Sequence, residues 1–347
     1  MPTVQICSFN VEWMNDWFTP DADPNVQFRP TFKKDGHTSD TAETATRTAA
    51  VIRAVDPDVL AIEEGPSRLA ELELFVHDYL SDGGQPRYEC FLSDTGMAQR
   101  VGLLYKPGSV DAAQLAPHSQ IQGLIDEWEA DVDGDAVPKL YHFTRNPLVV
   151  DLTIGGNPLQ VIVMHTKSNF VQDGEGLWKK DQHAYTIAAL LNRRRNSSEG
   201  MRVREYLDSK LAQDGAAAIL VCGDLNDGPG LDYFEEIFLS HNVTDILVGS
   251  AFEPEWIFTH AQHDVPAADR YTAIFDDFVT NEKDKHLLLD HILLSPGLAG
   301  GGAGLRQVKG SGRVRHAEYD AEVANGGANR EDRPSDHRPV SVELEYD

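Results

Sequence analysis

The sequence predicts an α/β fold in which mixed β-sheets are covered by helices. Short apolar runs bounded by turn-forming residues are typical of buried strands, and such runs recur from one end of the chain to the other. Some neighbouring runs are joined by a tight turn, as in the segment Gly155–Gly156–Asn157–Pro158, whereas others are separated by segments with helical periodicity. Hairpin turns combined with helical crossovers favour mixed sheets with helices outside.

The elements follow from local pattern. Helices are predicted where apolar residues recur near a 3.6-residue period, as at Leu69, Leu72 and Phe75. The helix predicted over 43–54 is ended by Pro57. The helix near residue 200 is expected to be interrupted over 196–200, where polar residues and a glycine follow one another. In chain order the sequence predicts a strand over 3–9, a helix over 43–54, a strand over 58–64, a helix over 69–80, strands over 101–105, 148–154 and 159–164, a helix over 181–211, and strands over 219–222, 287–294 and 340–344.

Two segments show no regular pattern and are predicted to be long loops. Residues from about 14 to 46 are polar, contain prolines and four aromatic residues, and lack a helical period. Loops of that length are often lids or binding loops. The four aromatic residues could stack on a base or ring, or they could fix the loop to its own protein: Trp17, Phe18, Phe28 and Phe32. Residues 297–333 are rich in glycine and are predicted to form a surface loop. Residues 1–347 are nevertheless expected to form a single domain, because one site draws on both ends of the chain.

Polar residues follow the predicted strands at the points where the strands end. All are types that bind metals or move protons: Asn10, Glu64, His165, Asp224, Asn226, Asp290, Asp336 and His337. One such residue is ordinary, since a buried strand often ends in an aspartate that caps a turn. A whole set from separate strands indicates side chains converging on a hard cation and a phosphate-like group.

Oxygen ligands among these residues predict a Mg²⁺ or Mn²⁺ site. Mg²⁺ binds through one or two carboxylates and keeps several waters for the substrate to replace, and Asn10, Glu64 and Asp336 could supply such a site. Glu63 precedes Glu64 on the same strand and should point to the opposite face. Glu64 is therefore the expected principal ligand, the alternative being a solvated acid at a strand end.

Pairs of residues two apart suggest how a phosphate would be held. Asp224 and Asn226 would lie on one face of an extended chain, about 7 Å apart, unless they only form a turn before the following glycine. His165 and Lys167 have the same spacing, and Lys167 would add a positive charge unless it is simply solvated. Arg100 and Arg145 are further candidates for phosphate binding, with surface salt bridges as the alternative.

The motifs resemble those of the endonuclease/exonuclease/phosphatase superfamily, which has the DNase I-like fold. They occur in the same order as in that superfamily: FNVE, PDVLAIEE, HTKS, GDLND, LDHILLS and SDHRPV. The resemblance extends from Asn10 to Val340, and GDLND together with SDHRP is its most specific part. It implies a four-layer α+β sandwich, in which two packed mixed sheets are flanked by helices. No single branch of the superfamily stands out.

The resemblance also implies roles for the residues. Glu64 corresponds to the metal carboxylate, Asp224 to the group that orients or deprotonates water, and Asn226 to a donor for a phosphate oxygen or the histidine. His337 would act in proton transfer or stabilise the transition state, with Asp290 as its carboxylate partner and His165 as a second imidazole facing the phosphate. His291, beside Asp290, should point away and pack in the core.

The charge of the chain argues against a grip on long nucleic acid. The chain has 56 acidic and 30 basic residues and a net charge of −26, whereas proteins that bind long duplexes usually carry a basic surface. The principal basic concentration is the run Asn192–Arg195 with Arg202 and Arg204. Such a run is typical of a solvated helix face, and contact with the backbone of a substrate is the alternative. We therefore expect short or small phosphoesters as substrates rather than long duplex DNA, and we expect no stable protein partner.

Cysteine content and hydropathy indicate the cellular compartment of the protein. Three cysteines, two of them in apolar strand candidates, predict reduced thiols rather than disulfides. No apolar run is long enough for a membrane span, and the N-terminus does not resemble a signal peptide. These features predict a cytoplasmic enzyme.

Together these observations predict a metal-dependent phosphoester hydrolase in which an activated water attacks in line, and they favour a phosphodiesterase or nuclease over a monoesterase. The sequence leaves three alternatives open. They are a small-molecule phosphatase of the same fold, a lipid phosphodiesterase, for which Trp17–Phe18 is the only hint, and a non-catalytic binding module. The intact set of polar strand-end residues counts against the last of these.

Overall fold

Two large β-sheets form the centre of the molecule. The computed structural model describes residues 1–20, 25–34, 36–94, 98–229, 232–302, 304–327 and 329–347. In chain order the strands of the two sheets are β1 (Thr3–Asn10), β2 (Val59–Gly65), β3 (Glu89–Leu92), β4 (Arg100–Tyr105), β5 (Ala112–Leu115), β6 (Leu148–Ile154), β7 (Asn157–His165), β8 (Ile219–Asp224), β9 (Thr259–His260), β10 (Asp290–Leu294), β11 (Leu305–Gln307), β12 (Arg313–Val314) and β13 (Val340–Tyr346).

Both sheets are mixed. The first has the order β11-β13-β1-β2-β4-β3, with β12 also paired to β13, and the second has the order β9-β10-β8-β7-β6-β5. In the first sheet β1 is parallel to β2 and antiparallel to β13. In the second, β8 is parallel to β7 and antiparallel to β10. Four smaller hairpins pair Thr31–Lys34 with His37–Asp40, Ser81–Asp82 with Gln85–Pro86, Trp128–Ala130 with Lys139–Tyr141, and Ala273–Asp277 with Glu282–Leu287.

Helices lie between and around the strands. Asp40 caps the first, since its side chain accepts a hydrogen bond from the backbone N–H of Glu43 at 2.9 Å. The α-helices are α1 (Thr41–Val55), α2 (Leu69–Tyr79), α3 (His118–Ile125), α4 (Gly174–Lys180), α5 (Gln182–Gln213), α6 (Tyr233–Phe238), α7 (Val243–Val248), α8 (Pro296–Gly300) and α9 (His316–Ala324), with 3₁₀ turns at Met14–Trp17, Pro254–Trp256, Ala267–Asp269 and Arg330–Asp332.

The core is layered. Apolar side chains of both sheets form the central layer, for example Ile6 from β1 and Val161 from β7. The outer face of the first sheet packs against Ile52 of α1 and other apolar residues of α1 and α2. The outer face of the second sheet packs against α5 through Val203 and Leu207. This arrangement confirms the predicted sandwich of two mixed sheets flanked by helices.

The two segments predicted as long loops contain regular elements. The segment 14–46 holds a 3₁₀ turn, the hairpin of Thr31–Lys34 and His37–Asp40, and the start of α1, and residues 21–24 and 35 of it lie outside the described part of the chain. Trp17 and Phe18 have no exposed surface, and the Trp17 ring packs edge-on against Phe75 of α2. The pair is therefore part of the core and does not face a substrate. The segment 297–333 contains most of α8, then β11, β12 and α9 in its described part.

The predicted interruption of the long helix is wrong, since α5 runs unbroken from Gln182 to Gln213. Its polar residues over 196–199 are buried and bond to other segments of the protein. Asn196 donates to the carbonyl of Leu225 at 3.1 Å, and Ser198 accepts from the indole N–H of Trp128 at 2.7 Å. A polar run that reads as a helix break in sequence is here an inward-facing polar band.

Further sequence predictions concern thiols and membranes. All three cysteines are free, and Cys7 and Cys222 are buried, which confirms the prediction of reduced thiols. Within the described ranges, no helix combines the length and the apolar character that a bilayer crossing requires. The cytoplasmic location stays a prediction.

Candidate active site

The polar ends of the central strands meet at one edge of the sandwich. In the second sheet, the register aligns His165 with Asp224 and Asp224 with Asp290 across three neighbouring strands. In the first sheet, Asn10 at the end of β1 pairs with Glu63, next to Glu64. Asp336 and His337 precede β13 on the same side. One hydrogen bond joins the two sheets here, because the Asn10 amide donates to Asp224 Oδ2 at 2.9 Å.

Asp224 is held from two sides. Its second oxygen, Oδ1, accepts the backbone N–H of Asn226 at 2.8 Å. Asn226 adopts a left-handed backbone conformation with φ of 51°, and its side-chain amide donates to the carbonyl of Thr166 at 3.2 Å. Burial raises the pKa of Asp224 to about 6. The carboxylate is thus oriented and is basic enough to accept a proton near neutral pH.

His337 and Asp290 form a buried pair. His337 Nδ1 lies 2.6 Å from Asp290 Oδ2, and the other ring nitrogen, Nε2, lies 4.0 Å from Asp224 Oδ2 and 3.9 Å from Asp336 Oδ1. Burial alone would lower the pKa of His337, but the carboxylates of Asp290 and Asp224 hold it well above its ordinary value. The ring therefore carries a positive charge between acids.

His165 also faces Asp224, but its imidazole is neutral. Its Nε2 lies 3.6 Å from Asp224 Oδ2, and Nδ1 is buried without a hydrogen-bond partner among the described residues. Burial, followed by the charges of Arg145 and His337, lowers the pKa of His165 well below the ordinary value. The cluster thus combines a neutral and a charged imidazole on either side of Asp224.

Glu64 and Asp336 form a second acidic centre. The backbone N–H of Trp13 donates to Glu64 Oε2 at 2.9 Å, and the Gln99 amide donates to the same oxygen at 3.0 Å. Burial and then the charge of Asp336 raise the pKa of Glu64 to about 7. Burial and then Glu12 raise the pKa of Asp336 to about 6. Two carboxylates that repel one another inside a cleft fit the binding of a cation between them.

The backbone of β2 explains how Glu64 reaches this position. The register of β2 against β4 shifts between Ile62 and Gly65, and Glu64 has φ of 55°. A bulge of this kind re-aims a side chain at a sheet edge. Glu63 points the other way, is fully buried, and accepts a hydrogen bond from Ser8 Oγ at 2.8 Å. The two adjacent acids therefore have separate surroundings.

The donor set is one that hard cations prefer. Glu64 and Asp336 offer carboxylate oxygens for Mg²⁺ or Mn²⁺. Asn10 presents its amide nitrogen to Glu64 at 3.5 Å, and its Oδ1, the atom that could bind a cation, accepts the backbone N–H of Glu12 at 3.0 Å. A second possible position lies among Asp224, Asp290 and His337, whose ligand atoms are within 4.8 Å of one another. There the hydrogen bond between Asp290 and His337 already occupies one ring nitrogen, which favours the first position.

The predicted phosphate-binding residues divide into two groups. The Arg145 guanidinium donates to Gln99 Oε1 at 2.7 Å, and the Gln99 amide in turn donates to Glu64. The pKa values of His165 and Lys167 are lowered first by burial and second by the charge of Arg145. Arg145 and Lys167 therefore belong to the cluster. Arg100 pairs through its backbone with Gly65, but its guanidinium donates to the carbonyl of Ser93 at 3.2 Å. No contact in the described ranges joins the Arg100 side chain to the cluster.

Several supporting residues were missed by the sequence analysis. Glu199 of α5 has no exposed surface and accepts from the backbone of Thr144 at 2.8 Å and of Lys167 at 2.9 Å, which fixes the turn after His165. Lys34, also fully buried, contacts Glu12 at 2.9 Å. Glu12 belongs to the FNVE motif and was visible there, whereas a buried lysine in a polar hairpin gives no sequence signal.

The basic concentration on α5 is paired with acids. Arg195 lies 3.4 Å from Glu199, Arg204 Nε lies 2.8 Å from Asp208, and Arg193 Nε lies 3.0 Å from Asp232. Arg202 lies 3.4 Å from Glu205. Most of this positive charge is therefore neutralised within the protein.

The geometry agrees with what comparison of the sequence finds. The Endonuclease/Exonuclease/phosphatase family matches residues 7–337. The chain belongs to this family. Hydrolysis of phosphoester bonds is the family's general chemistry, so the chain has the scaffold of a phosphoric ester hydrolase. A comparison with curated proteins finds no match.

Solved structures of the same fold are distant in sequence. The endonuclease/exonuclease/phosphatase from Bacteroides vulgatus is 12% identical, with all of both chains covered and a TM-score of 0.51. TDP2 from Caenorhabditis elegans is 13% identical over 99% of this chain and 74% of its own, with a TM-score of 0.50. At such identities the similarity concerns the fold, and it agrees with the four-layer sandwich of this family.

Proposed function

We propose that this protein is a Mg²⁺- or Mn²⁺-dependent phosphodiesterase that hydrolyses small or short phosphodiesters in one step. The observation that carries the proposal is the arrangement around Asp224. A charged His337, a neutral His165 and the amide of Asn10 all face this carboxylate, and the acidic pair of Glu64 and Asp336 lies alongside. Such a set can bind a phosphodiester and activate water against it.

Asp224 is the proposed general base. Its pKa of about 6 lets the carboxylate be ionised near neutral pH and still accept a proton from an attacking water. Hydrogen bonds from Asn10 and from the backbone of Asn226 fix its oxygens. Fixed orientation of this kind reduces the entropic cost of bringing water and phosphorus into line.

His337 is the proposed electrostatic group for the transition state. Asp290 accepts its Nδ1–H and keeps the imidazolium charged, so that Nε2–H can donate to a phosphoryl oxygen as negative charge develops there. His165, which is neutral, would donate a hydrogen bond without adding charge. Arg145 and Lys167 would attract the phosphate to this position.

Glu64, Asp336 and Asn10 are the proposed ligands of the cation. A divalent ion bound there would neutralise phosphate oxygens and lower the pKa of a bound water. Asp224 would then take the proton and His337 would stabilise the developing charge, with no covalent enzyme intermediate. Cys222 supports this, since it is buried inside β8 with 1% of its surface exposed and no nucleophile role is open to it.

The alternatives have weaker support. Trp17 and Phe18 were the sequence hint for a lipid phosphodiesterase, and both are buried in the core. A non-catalytic module would have no need to keep a charged imidazole beside three carboxylates. A small-molecule phosphatase would use the same residues, and the substrate test below separates it from a diesterase.

The proposal is tested by turnover of a defined substrate panel. The panel contains a model aryl diester, its monoester, dinucleotides, single- and double-stranded DNA, RNA and a phospholipid, each assayed with EDTA and then with excess Mg²⁺, Mn²⁺ or Zn²⁺. We expect diester hydrolysis that EDTA abolishes and that Mg²⁺ or Mn²⁺ restores. Full turnover after exhaustive chelation would contradict the metal assignment, and turnover of the monoester alone would identify a phosphatase.

A further inference from the structure

A cavity next to the active site is lined by several arginines. It has a volume of about 280 Å³ and is lined by the three arginines Arg330, Arg333 and Arg338, together with Asp336. We call it the arginine cavity. Asp336 belongs both to this cavity and to the acidic pair of the active site, so the two spaces adjoin.

Arg333 supplies positive charge that the protein itself does not use. Within the described ranges no ion pair joins its guanidinium to a carboxylate, and its Nε is buried without a hydrogen-bond partner. The terminal nitrogens of this guanidinium also have no hydrogen-bond partner in the described part of the chain, and an anionic ligand in the cavity would contact these atoms.

Arg338 is held in place by aromatic rings. Its guanidinium lies over Tyr319 at 4.6 Å and over Tyr271 at 5.1 Å, and one terminal nitrogen lies 3.2 Å from Asp320. Its Nε is also buried without a partner. Stacking fixes the plane of the guanidinium, so this wall of the cavity is preorganised for a planar or tetrahedral anion.

Two contacts connect the cavity to the catalytic cluster. Arg330 contacts Glu12 and lies 3.3 Å from Asp336 Oδ2. Phe275 lines the cavity with 39% of its surface exposed, and its ring centroid lies 6.4 Å from that of His337. A ligand that extends out of the cavity would pass along Phe275 to reach His337.

We propose that the arginine cavity is a subsite for a second phosphate group of the substrate. The inference rests on the proposed function, in which the scissile diester lies between Asp224 and His337. Arg330 is paired with Glu12 and Asp336, and Arg338 with Asp320, whereas Arg333 lines the cavity without a carboxylate partner in the described ranges. Small phosphodiesters with an additional terminal phosphate are therefore preferred over the same diesters without it.

The test compares two dinucleotides that differ only in a terminal phosphate, with the 5′ and the 3′ end examined separately. For Arg333→Gln we expect kcat/KM to fall at least tenfold on the phosphorylated dinucleotide of the preferred end, mainly through KM. On the unphosphorylated dinucleotide it should change less than twofold. Arg306→Gln is the matched control, because Arg306 lies on the far strand β11 and pairs with Glu345 at 2.6 Å.

A binding measurement separates the cavity from the chemistry. Calorimetric titration of inorganic phosphate is made in EDTA, with native protein, R333Q and R306Q, each checked for an unchanged melting temperature. We expect R333Q to bind phosphate at least fivefold more weakly and R306Q to match the native protein. Arg333→Lys, which keeps the charge but not the fork of donors, should fall between them and provides the test if R333Q does not fold.

The outcomes are distinct. Equal losses by R333Q on both dinucleotides, or unchanged phosphate binding, would overturn the subsite. Lost phosphate binding in R333Q with no diester turnover by the native protein would leave the subsite standing and overturn the proposed function.

Discussion

At the level of single residues, one histidine of the cluster is charged and the other is neutral because their surroundings differ. His337 touches Asp290 at 2.6 Å and faces two further acids, whereas His165 is buried near Arg145 and His337. Carboxylates stabilise the protonated ring, and burial beside cations destabilises it. The sequence marks both as strand-end histidines without this distinction.

His337 and Asp224 should dominate turnover. We expect His337→Ala and Asp224→Asn each to lower kcat by about 10²-fold or more, since general acid–base groups contribute that much. Asp290→Asn should cost less than His337→Ala, because the imidazole stays and loses only its orienting partner. Steady-state kinetics with circular dichroism on each variant checks this. Were His291→Ala as damaging to kcat as His337→Ala, the catalytic histidine would be misassigned.

Adjacent glutamates offer a matched pair for the metal site. Glu64→Gln removes one carboxylate ligand, and we expect the Mg²⁺ or Mn²⁺ concentration for half-maximal activity to rise at least tenfold. Glu63→Gln is the control. Glu63 points away from the site, is fully buried and accepts a hydrogen bond from Ser8 Oγ at 2.8 Å, and burial raises its pKa well above the ordinary value.

Activation curves and calorimetric binding of Mn²⁺ to both variants give the answer. An E63Q protein that loses Mn²⁺ binding as strongly as E64Q would mean that the bulge in β2 does not separate the two acids as described.

At the scale of elements, neighbouring strands β9 and β10 share a buried histidine pair. His260 Nε2 lies 2.7 Å from His291 Nδ1, and His291 Nε2 lies 2.7 Å from the carbonyl of Asp227. His260 Nδ1 accepts the backbone N–H of Gln262 at 3.1 Å. Each ring therefore donates one bond and accepts one, which requires both to be neutral. Burial lowers both pKa values accordingly.

This pair predicts a pH dependence of stability. Below about pH 6.5 the unfolded chain binds protons at these histidines and the folded chain does not, so the free energy of unfolding should fall as pH decreases toward 5. His260→Gln should reduce that slope by about 1.4 kcal/mol per pH unit, the value for one proton. Urea unfolding between pH 5 and 7.5 measures it.

The control for the histidine pair is His118→Gln, whose side chain is 69% exposed. Its slope should equal that of the native protein. Equal slopes for H260Q and H118Q would show that the buried pair does not titrate as inferred.

At the scale of the whole molecule, net charge limits how nucleic acid can bind. The chain carries −26, and its main basic cluster is already paired with acids along α5. Each phosphate contact releases a counterion, so a protein with many contacts loses affinity steeply with salt. We expect this protein to make roughly two to four phosphate contacts, each of which adds about −0.9 to the slope of log K against log salt.

The expected slope of log K against log salt is therefore shallow, and small diesters should turn over at least as well as long duplex DNA. Fluorescence binding over a salt series and competition kinetics test this. A slope steeper than about −6, or a strong preference for long duplex, would mean that a continuous basic surface exists.

Local periodicity and short motifs carried enough information to predict the strand ends, the mixed sheets and the family. Asn10, Glu64, His165, Asp224, Asp290, Asp336 and His337 were identified from motifs and do converge. Motifs succeed here because a polar residue at the end of a buried strand has a position fixed by the core.

Sequence patterns could not predict the charge states, the bulge that separates Glu63 from Glu64, the unbroken helix α5, the burial of Trp17 and Phe18, or the arginine cavity. Each depends on contacts between segments far apart in the chain. Arg330 meets Glu12 and Asp336, and Lys34 meets Glu12, at separations that no local pattern encodes. A pKa or a buried ion pair is set by the surrounding charges and the loss of water, and both exist only after the chain has folded.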